Sequence, residues 1–433
     1  MTRALSSRRA STSSLAVRRA ASLDASLDIG DEAQQRKGGL VRSIIAFVGV
    51  AGASLGMMGV SVAQTDPNPP QNNPDRQSWE LFVTVNANVA SAGNNNALFE
   101  SWASDGDTFR TLPAWPSGAA EMQIGQRALS VAFQRAHPRF TPQVLPAGAA
   151  LVGEETRRNK PDFDFIVQNN LFKISGLRAA FRAGKPIAFP VDSIEVKANW
   201  VEVGRLKEFN GFSGSAAEAA AAYHINSTGG KQYALVSFHI ISKRAPNWTW
   251  ATFEHNDNPG RCDVLGCKDN FGALDTYVAP LSMVESPTHY PDCVKSPALR
   301  ALLAEAHLDP AFSNYCLKGS QSDFADPSGA AIRLGNSVTE QTFVAQSSCM
   351  TCHGRAAFDA NGHATTSGGF DPSAIDDPPG SGNAPVGPIN SSWREGDLMR
   401  FGLPADFVWS VPFCGIDDTA EPPETKSRLC SSK

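Results

Sequence analysis

Residues 194–200 read Ile-Glu-Val-Lys-Ala-Asn-Trp. Ile194, Val196, Ala198 and Trp200 alternate with Glu195, Lys197 and Asn199, the period-two pattern of a half-buried strand. Two more strands follow, 232–242 (QYALVSFHIIS), more fully apolar, and 248–253 (WTWATF), after a turn around 244–247. The Ala-rich stretch 216–222 predicts a helix between the first two. Upstream the period is helical. Residues 77–86 (QSWELFVTVN) place Trp79, Leu81, Phe82 and Val85 at helix spacing, and further helices are expected at 97–103, 121–133, 162–170 and 175–183. Strands come in runs rather than in βαβ alternation, so residues 77–291 predict an α+β domain on an antiparallel sheet.

After residue 292 the chain changes character. Residues 297–306 predict a helix, and 315–334 a hairpin turning at Asp326-Pro327-Ser328-Gly329. Ser337-Val338-Thr339-Glu340 reads as a capping box opening the helix that delivers Cys349. What it delivers is Cys349-Met350-Thr351-Cys352-His353, and C-x-x-C-H is the attachment sequence of a c-type haem. Two thiols with a two-residue gap can reach one porphyrin edge and add across the vinyl groups, while His353 becomes the proximal iron ligand. A zinc knuckle would want a second C-x-x-C pair, and a redox dithiol a βαβ surround; neither is evident. For the sixth ligand, Met399 lies 46 residues after His353. His363, another ligand or an open position are the alternatives, and Met399 is equally readable as core filler. Residues 362–392 read as a loop, and the aromatic tail 403–413 (LPADFVWSVPF) suits a haem-pocket wall.

Residues 336–353 (NSVTEQTFVAQSSCMTCH), with Phe343 six residues before Cys349, resemble the haem-bearing start of a single-haem cytochrome c domain. More loosely, SWELF, SIEVKANW, WTWATFEHNDN, and NYCLKGSQSDF with LGNS resemble exported bacterial cytochrome-c-family proteins with a large haem-free N-terminal part. The resulting expectation for the whole chain is α+β, with a haem-free domain (77–291) followed by a mainly helical cytochrome c-like domain (292–433). One covalent haem c is the implied cofactor.

That haem chemistry requires export. Residues 1–42 hold eight basic and four acidic side chains, and 43–63 form an uncharged run rich in Gly and Ala. The run ends in Ser61-Val62-Ala63, a small-x-small pattern that suits cleavage before Gln64. A retained membrane anchor is the alternative, since the run is long enough to cross. Cleavage would leave a Pro/Asn-rich linker (64–76) and a periplasmic protein with no membrane span. Residues beyond 63 carry 30 basic against 39 acidic side chains. That is a poor footprint for nucleic acid or an anionic membrane.

Of eight cysteines, the motif takes two, leaving Cys262, Cys267, Cys293, Cys316, Cys414 and Cys430. An even remainder in an exported chain reads as disulfides. Short closures suggest Cys262–Cys267, Cys293–Cys316 and Cys414–Cys430, with buried free thiols as the alternative.

In the haem-free part, Trp248, Trp250, Phe253, Glu254 and His255 concentrate beside a strand, with His239 and Trp200 on the same sheet. They form either a small-molecule pocket or electron-entry edge, or simply a packed sheet whose Glu254 and His255 bond the turn 256–260. Two functions stay open. One is a single-haem electron carrier served by a redox partner protein or a small-molecule donor. The other is a haem-dependent oxidoreductase binding an organic substrate near an open iron.

Overall fold

The computed structural model describes residues 73–430 apart from 92–93, 118–121, 123–151, 185, 282–288, 341–343, 355, 365–401 and 428–429. The leader and its cleavage site, Phe343, Met399 and the helix expected at 121–133 apart from Met122 lie outside the described residues.

The sheet expected from 194–200 is there and is larger than the sequence suggested. It has seven strands, β1 (Ala103–Ser104), β2 (Val152–Arg158), β3 (Ile194–Glu202), β4 (Ile225–Thr228), β5 (Lys231–Ser242), β6 (Thr249–His255) and β7 (Tyr315–Gln321). Their order is β7-β6-β5-β3-β2-β1, with β4 also pairing β5, and every pair is antiparallel. Helix α1 (Pro74–Val85) starts on the Asn73 side chain, which accepts from the Arg76 N–H, with proline at the first helical position. It lays Trp79, Phe82 and Val85 on one face of the sheet. There Phe238, Phe253, Leu317 and Tyr315 complete a wholly buried core. Trp79 and Phe82 meet Phe253 with ring centroids 5.1 and 4.8 Å apart.

Helices α2 (Lys160–Gln168) and α3 (Ile174–Ala183) fall where the sequence placed them, α3 ending on left-handed Gly184. With Trp248, Trp250, Phe324, Phe407 and Val411 they build a second core, which also takes in Cys349 and Met350. Helix α4 (Ala216–Ala222) opens on a capping box between Ser215 and Glu218. The stretch 97–103 makes a 3-10 turn, Leu98–Ser101, rather than a full helix.

The region after residue 292 is not mainly helical, which corrects the expected fold class. Its described helices are α5 (Pro297–Glu305), α6 (Cys349–His353) and the five residues Ser410–Cys414, besides short 3-10 turns. Residues 315–321 do not fold back as a hairpin but add β7 to the edge of β6. Only the turn survives, closed by the Ala325–Ala331 bridge. The capping box at 337–340 opens no long helix either, for a tertiary reason. Ser337 turns both its N–H and its hydroxyl onto the carboxylate of Glu254. Asn336 caps instead, its Oδ1 accepting from Val338 and Thr339 N–H while Glu340 accepts from the Asn336 N–H. A single turn results.

All three expected disulfides are present: Cys262–Cys267, Cys293–Cys316 and Cys414–Cys430. Among the described residues no helix is long and apolar enough to cross a membrane.

Candidate haem-attachment site

Antiparallel register puts directly opposed residues on one sheet face. Lys197, His239 and Thr252 stand in one row, Asn199, Ser237 and Glu254 in the next, and Glu195, Ile241, Trp250 and Gln321 in a third. This is the face away from α1, and the alternation in β3 reads as though water covers it. Chain covers it instead. His239, Asn199, Thr252, Glu254 and Gln321 are all buried.

The cover comes from residues 334–340 and 344–353, and it meets the polar row group by group. Asn336 Nδ2 donates to Thr252 Oγ1 at 2.8 Å, and Asn199 Nδ2 to Thr339 Oγ1 at 2.8 Å. His239 Nε2 lies 3.1 Å from the same Thr339 oxygen and 3.8 Å from Glu340 Oε1. Lys318 on β7 pairs with Glu254 at 3.5 Å. Burial lifts the Glu340 carboxyl to about 7, against the pull of Lys197, the Asn336 N–H and Lys318. Burial also holds His239 well below the usual histidine range, with Lys197, His353 and Lys318 acting in the same direction.

Gln321, in the last row, holds the C-x-x-C-H turn. Its Oε1 accepts from the Met350 N–H at 3.2 Å and its Nε2 donates to Ser348 Oγ at 3.2 Å. In α6, positions i, i+3 and i+4 share one side of the helix. Cys349, Cys352 and His353 therefore project together, and Met350 is fully buried in the second core. Cys349 and Cys352 are also the two described cysteines outside disulfides. Burial drives the Cys349 thiol well above its ordinary value. A thiol held protonated makes a poor disulfide-exchange nucleophile, which weighs against a redox dithiol.

His353 is oriented from outside the helix. Its Nδ1 lies 2.9 Å from the Phe407 carbonyl oxygen, which can only accept, so Nδ1 carries the hydrogen and Nε2 the lone pair. A ligating histidine needs that arrangement. Burial pushes the imidazole down to about 4, countered by the Phe407 carbonyl, so it is neutral at pH 7. The Trp250 ring stands 4.5 Å from it, centroid to centroid. Phe407 and its neighbour Asp406 both take left-handed backbone, with φ of 72° and 50°. For non-glycine residues such conformations cost on the order of 1 kcal/mol each and gather at functional sites. Asp406 is tied down by Lys243 at 2.7 Å and by the Phe189 N–H at 2.8 Å. Trp409 Nε1 donates to the Cys352 carbonyl at 3.2 Å, so the aromatic tail does line this turn.

The donor set fits a covalently attached haem better than a bare metal ion. Among the described residues, the one trio of possible ligands close enough to share an ion is Asp105, Cys414 and Cys430, and those two sulfurs are joined to each other. Cys349, Cys352 and His353 share a helix side without converging on a point, as a porphyrin edge plus an axial nitrogen requires.

The other sequence candidates separate. His363 sits exposed on a turn with Asp359, whose Oδ1 accepts from the His363 N–H, beside α3. Phe253 and Trp200 face the apolar core, so they do not join His239. Glu254 accepts from Asn258 Nδ2, and His255 from the Asp257 N–H, as the packed-sheet reading expects. Trp250, by contrast, belongs to the site. The sequence reading missed Gln321, Lys318 and the site role of Glu340. Their only signal was polarity inside stretches that otherwise read as strand or cap.

No family model, curated protein or solved structure matches this chain.

Proposed function

We propose that the chain is a single-haem c-type cytochrome of the exported bacterial kind that residues 336–353 resemble, passing single electrons through a haem c bound to Cys349 and Cys352. One observation carries this reading. The only two described cysteines outside disulfides lie on one helical turn with a histidine whose Nδ1 is anchored and whose Nε2 is left to bind iron. When bound, the haem supplies reversible one-electron chemistry. The protein's part is to fix the imidazole through Phe407, to seat the turn on Gln321, and to exclude water with Trp250, Phe407 and Trp409. A redox partner protein or a small-molecule donor delivers the electron.

Met399 remains the proposed distal ligand, on its spacing from His353. An open iron would instead favour a haem-dependent oxidoreductase. Three disulfides suit an oxidising compartment. With the leader they support periplasmic placement after cleavage near Gln64.

Denaturing electrophoresis with haem staining tests the central claim. The wild-type chain should keep its haem, and Cys352→Ala should lose full stoichiometric attachment. Haem released from the wild type on denaturation would sink the proposal. Fast CO binding by the ferrous protein would move the oxidoreductase ahead.

A further inference from the structure

We propose that the Cys293–Cys316 disulfide is a thiol–disulfide exchange site, the bridge of the three that a dithiol reductant opens first. The proposal does not rest on the cytochrome reading and concerns sulfurs that the C-x-x-C-H turn does not use.

Cys293 lies just ahead of α5 and Cys316 stands second in the edge strand β7, so the bridge spans 23 positions and pins the approach to α5 against the sheet. Cys293 is partly exposed, beside exposed Val294, whereas Cys316 is buried. Polar groups meet both sulfurs. Lys295 Nζ lies 2.7 Å from Cys293 Sγ and 2.5 Å from the Tyr315 carbonyl oxygen, with the Trp79 ring 5.6 Å away. The terminal amide of Asn256 reaches within 2.8 Å of Cys316 Sγ and 3.5 Å of Cys293 Sγ. A disulfide sulfur has no hydrogen to give, so of the two ends of that amide the nitrogen suits the contact. Burial lowers the Lys295 ammonium to about 8, against the pull of Asp269, and it stays charged at pH 7. A cation and a donor at the sulfurs stabilise the thiolates that form as the bond breaks, which favours exchange and reduction.

The other two bridges are placed differently. Cys262 and Cys267 are both buried, and Arg261 Nη1 comes only to 3.7 Å from Cys262 Sγ. Cys414 and Cys430 lie within 4.8 Å of the Asp105 carboxylate, whose charge opposes a thiolate.

The exchange balances in two steps. One thiolate of the reductant attacks the accessible Cys293 sulfur, the S–S bond breaks, and Cys316 leaves with the electron pair. The reductant's second thiolate then attacks its own sulfur in the mixed disulfide and releases Cys293 as a thiolate beside Lys295. Two electrons pass to the protein and the reductant becomes a disulfide. Of its two protons, one goes to Cys316 and the other to Cys293 or to solvent.

The test is brief dithiothreitol treatment of the native full chain. Thiols free beforehand are blocked with one alkylating reagent, those released are trapped with a second, and each cysteine is located by peptide mass spectrometry. Cys293 and Cys316 should be released together, roughly tenfold faster than the other two bridges. Lys295→Met should slow that release roughly tenfold, as for the loss of one charge-assisted contact, and Lys295→Arg should restore part of it. In the reduced chain, the alkylation rate of Cys293 against pH should give a thiol pKa below the ordinary value of about 8.5, rising in Lys295→Met. Another bridge opening first, a wild-type Cys293 thiol at its ordinary value or above, or a folded Lys295→Met that releases as fast as wild type overturns the proposal. If Lys295→Met does not fold, the order of release and the wild-type thiol decide it alone.

Discussion

The two faces of the central sheet are buried to a similar depth by opposite means. On one, α1 lays Trp79, Phe82 and Val85 against Phe238 and Phe253 with hardly a polar atom between them. On the other, Asn199, His239, Thr252 and Glu254 meet a covering segment through paired polar groups. The apolar face draws stability from area removed from water, which tolerates no void. A polar face draws specificity of position, because each group must find its partner or leave a buried atom unsatisfied. The C-x-x-C-H turn sits on the second kind of surface. A turn held by discrete hydrogen bonds has a defined place, whereas one resting on a smooth apolar surface could slide.

Removing mass from the apolar face should have the largest effect. Phe253→Ala should cost about 3–5 kcal/mol in denaturant unfolding, and a loss below about 1 kcal/mol would show that this face is not the main core.

On the polar face, breaking one partnership should cost nearly as much. Glu254→Ala strips Lys318 and Ser337 of their acceptor, and a loss of about 3 kcal/mol is expected for orphaning a buried charge. Lys318→Met in the same background should recover much of it, since no lone ammonium then remains. A double variant no more stable than Glu254→Ala would mean that the pair is not the cause.

The pH dependence of stability separates the faces by window. His224, packed beside Trp200 and Phe312 between Glu100 and Asp309, is raised to about 9; burial opposes the rise, and the Glu100 charge leads the groups that outweigh it. Its contribution is fully present below an unfolded value of about 6.5 and is lost as pH rises through about 9. Glu340 is raised from about 4.5 to about 7, chiefly by burial, so its contribution is present below about 4.5 and lost as pH rises through about 7. Stability followed against pH should thus fall in two steps. His224→Gln should remove the upper step and Glu340→Gln the lower; a step unmoved by its own variant would break the assignment.

The smallest effect belongs to Trp250, the strand residue beside the His353 ring. Trp250→Phe keeps an aromatic ring but loses the indole donor to the Asn247 carbonyl at 3.1 Å. A loss of about 1 kcal/mol is expected, with haem attachment intact. Complete loss of attachment would show that Trp250 shapes the site directly.

Much of this was legible in the chain. The alternation in 194–200, the Ala-rich helix at 216–222, the Trp79-Phe82-Val85 spacing and three short-loop disulfides all express local rules, and each is met in the structure. The errors share a cause. Ser337 has the residue type of a cap, yet Glu254, distant in sequence, claims it. Residues 315–321 have the look of half a hairpin, yet the open edge of β6 claims them. In both places a long-range partner outbid a local one.

The sequence by itself determined the chemistry available: two thiols and an imidazole in the C-x-x-C-H spacing, and a strand with one apolar and one polar side. Covalent spacing and side-chain alternation are properties of neighbours along the chain. Only the tertiary structure decided that the polar side would be covered by the stretch leading into that motif, with His239 and Lys318 buried and Glu340 beside His239. Which distant segment covers a strand depends on contacts between residues a hundred positions apart, and no local pattern records them.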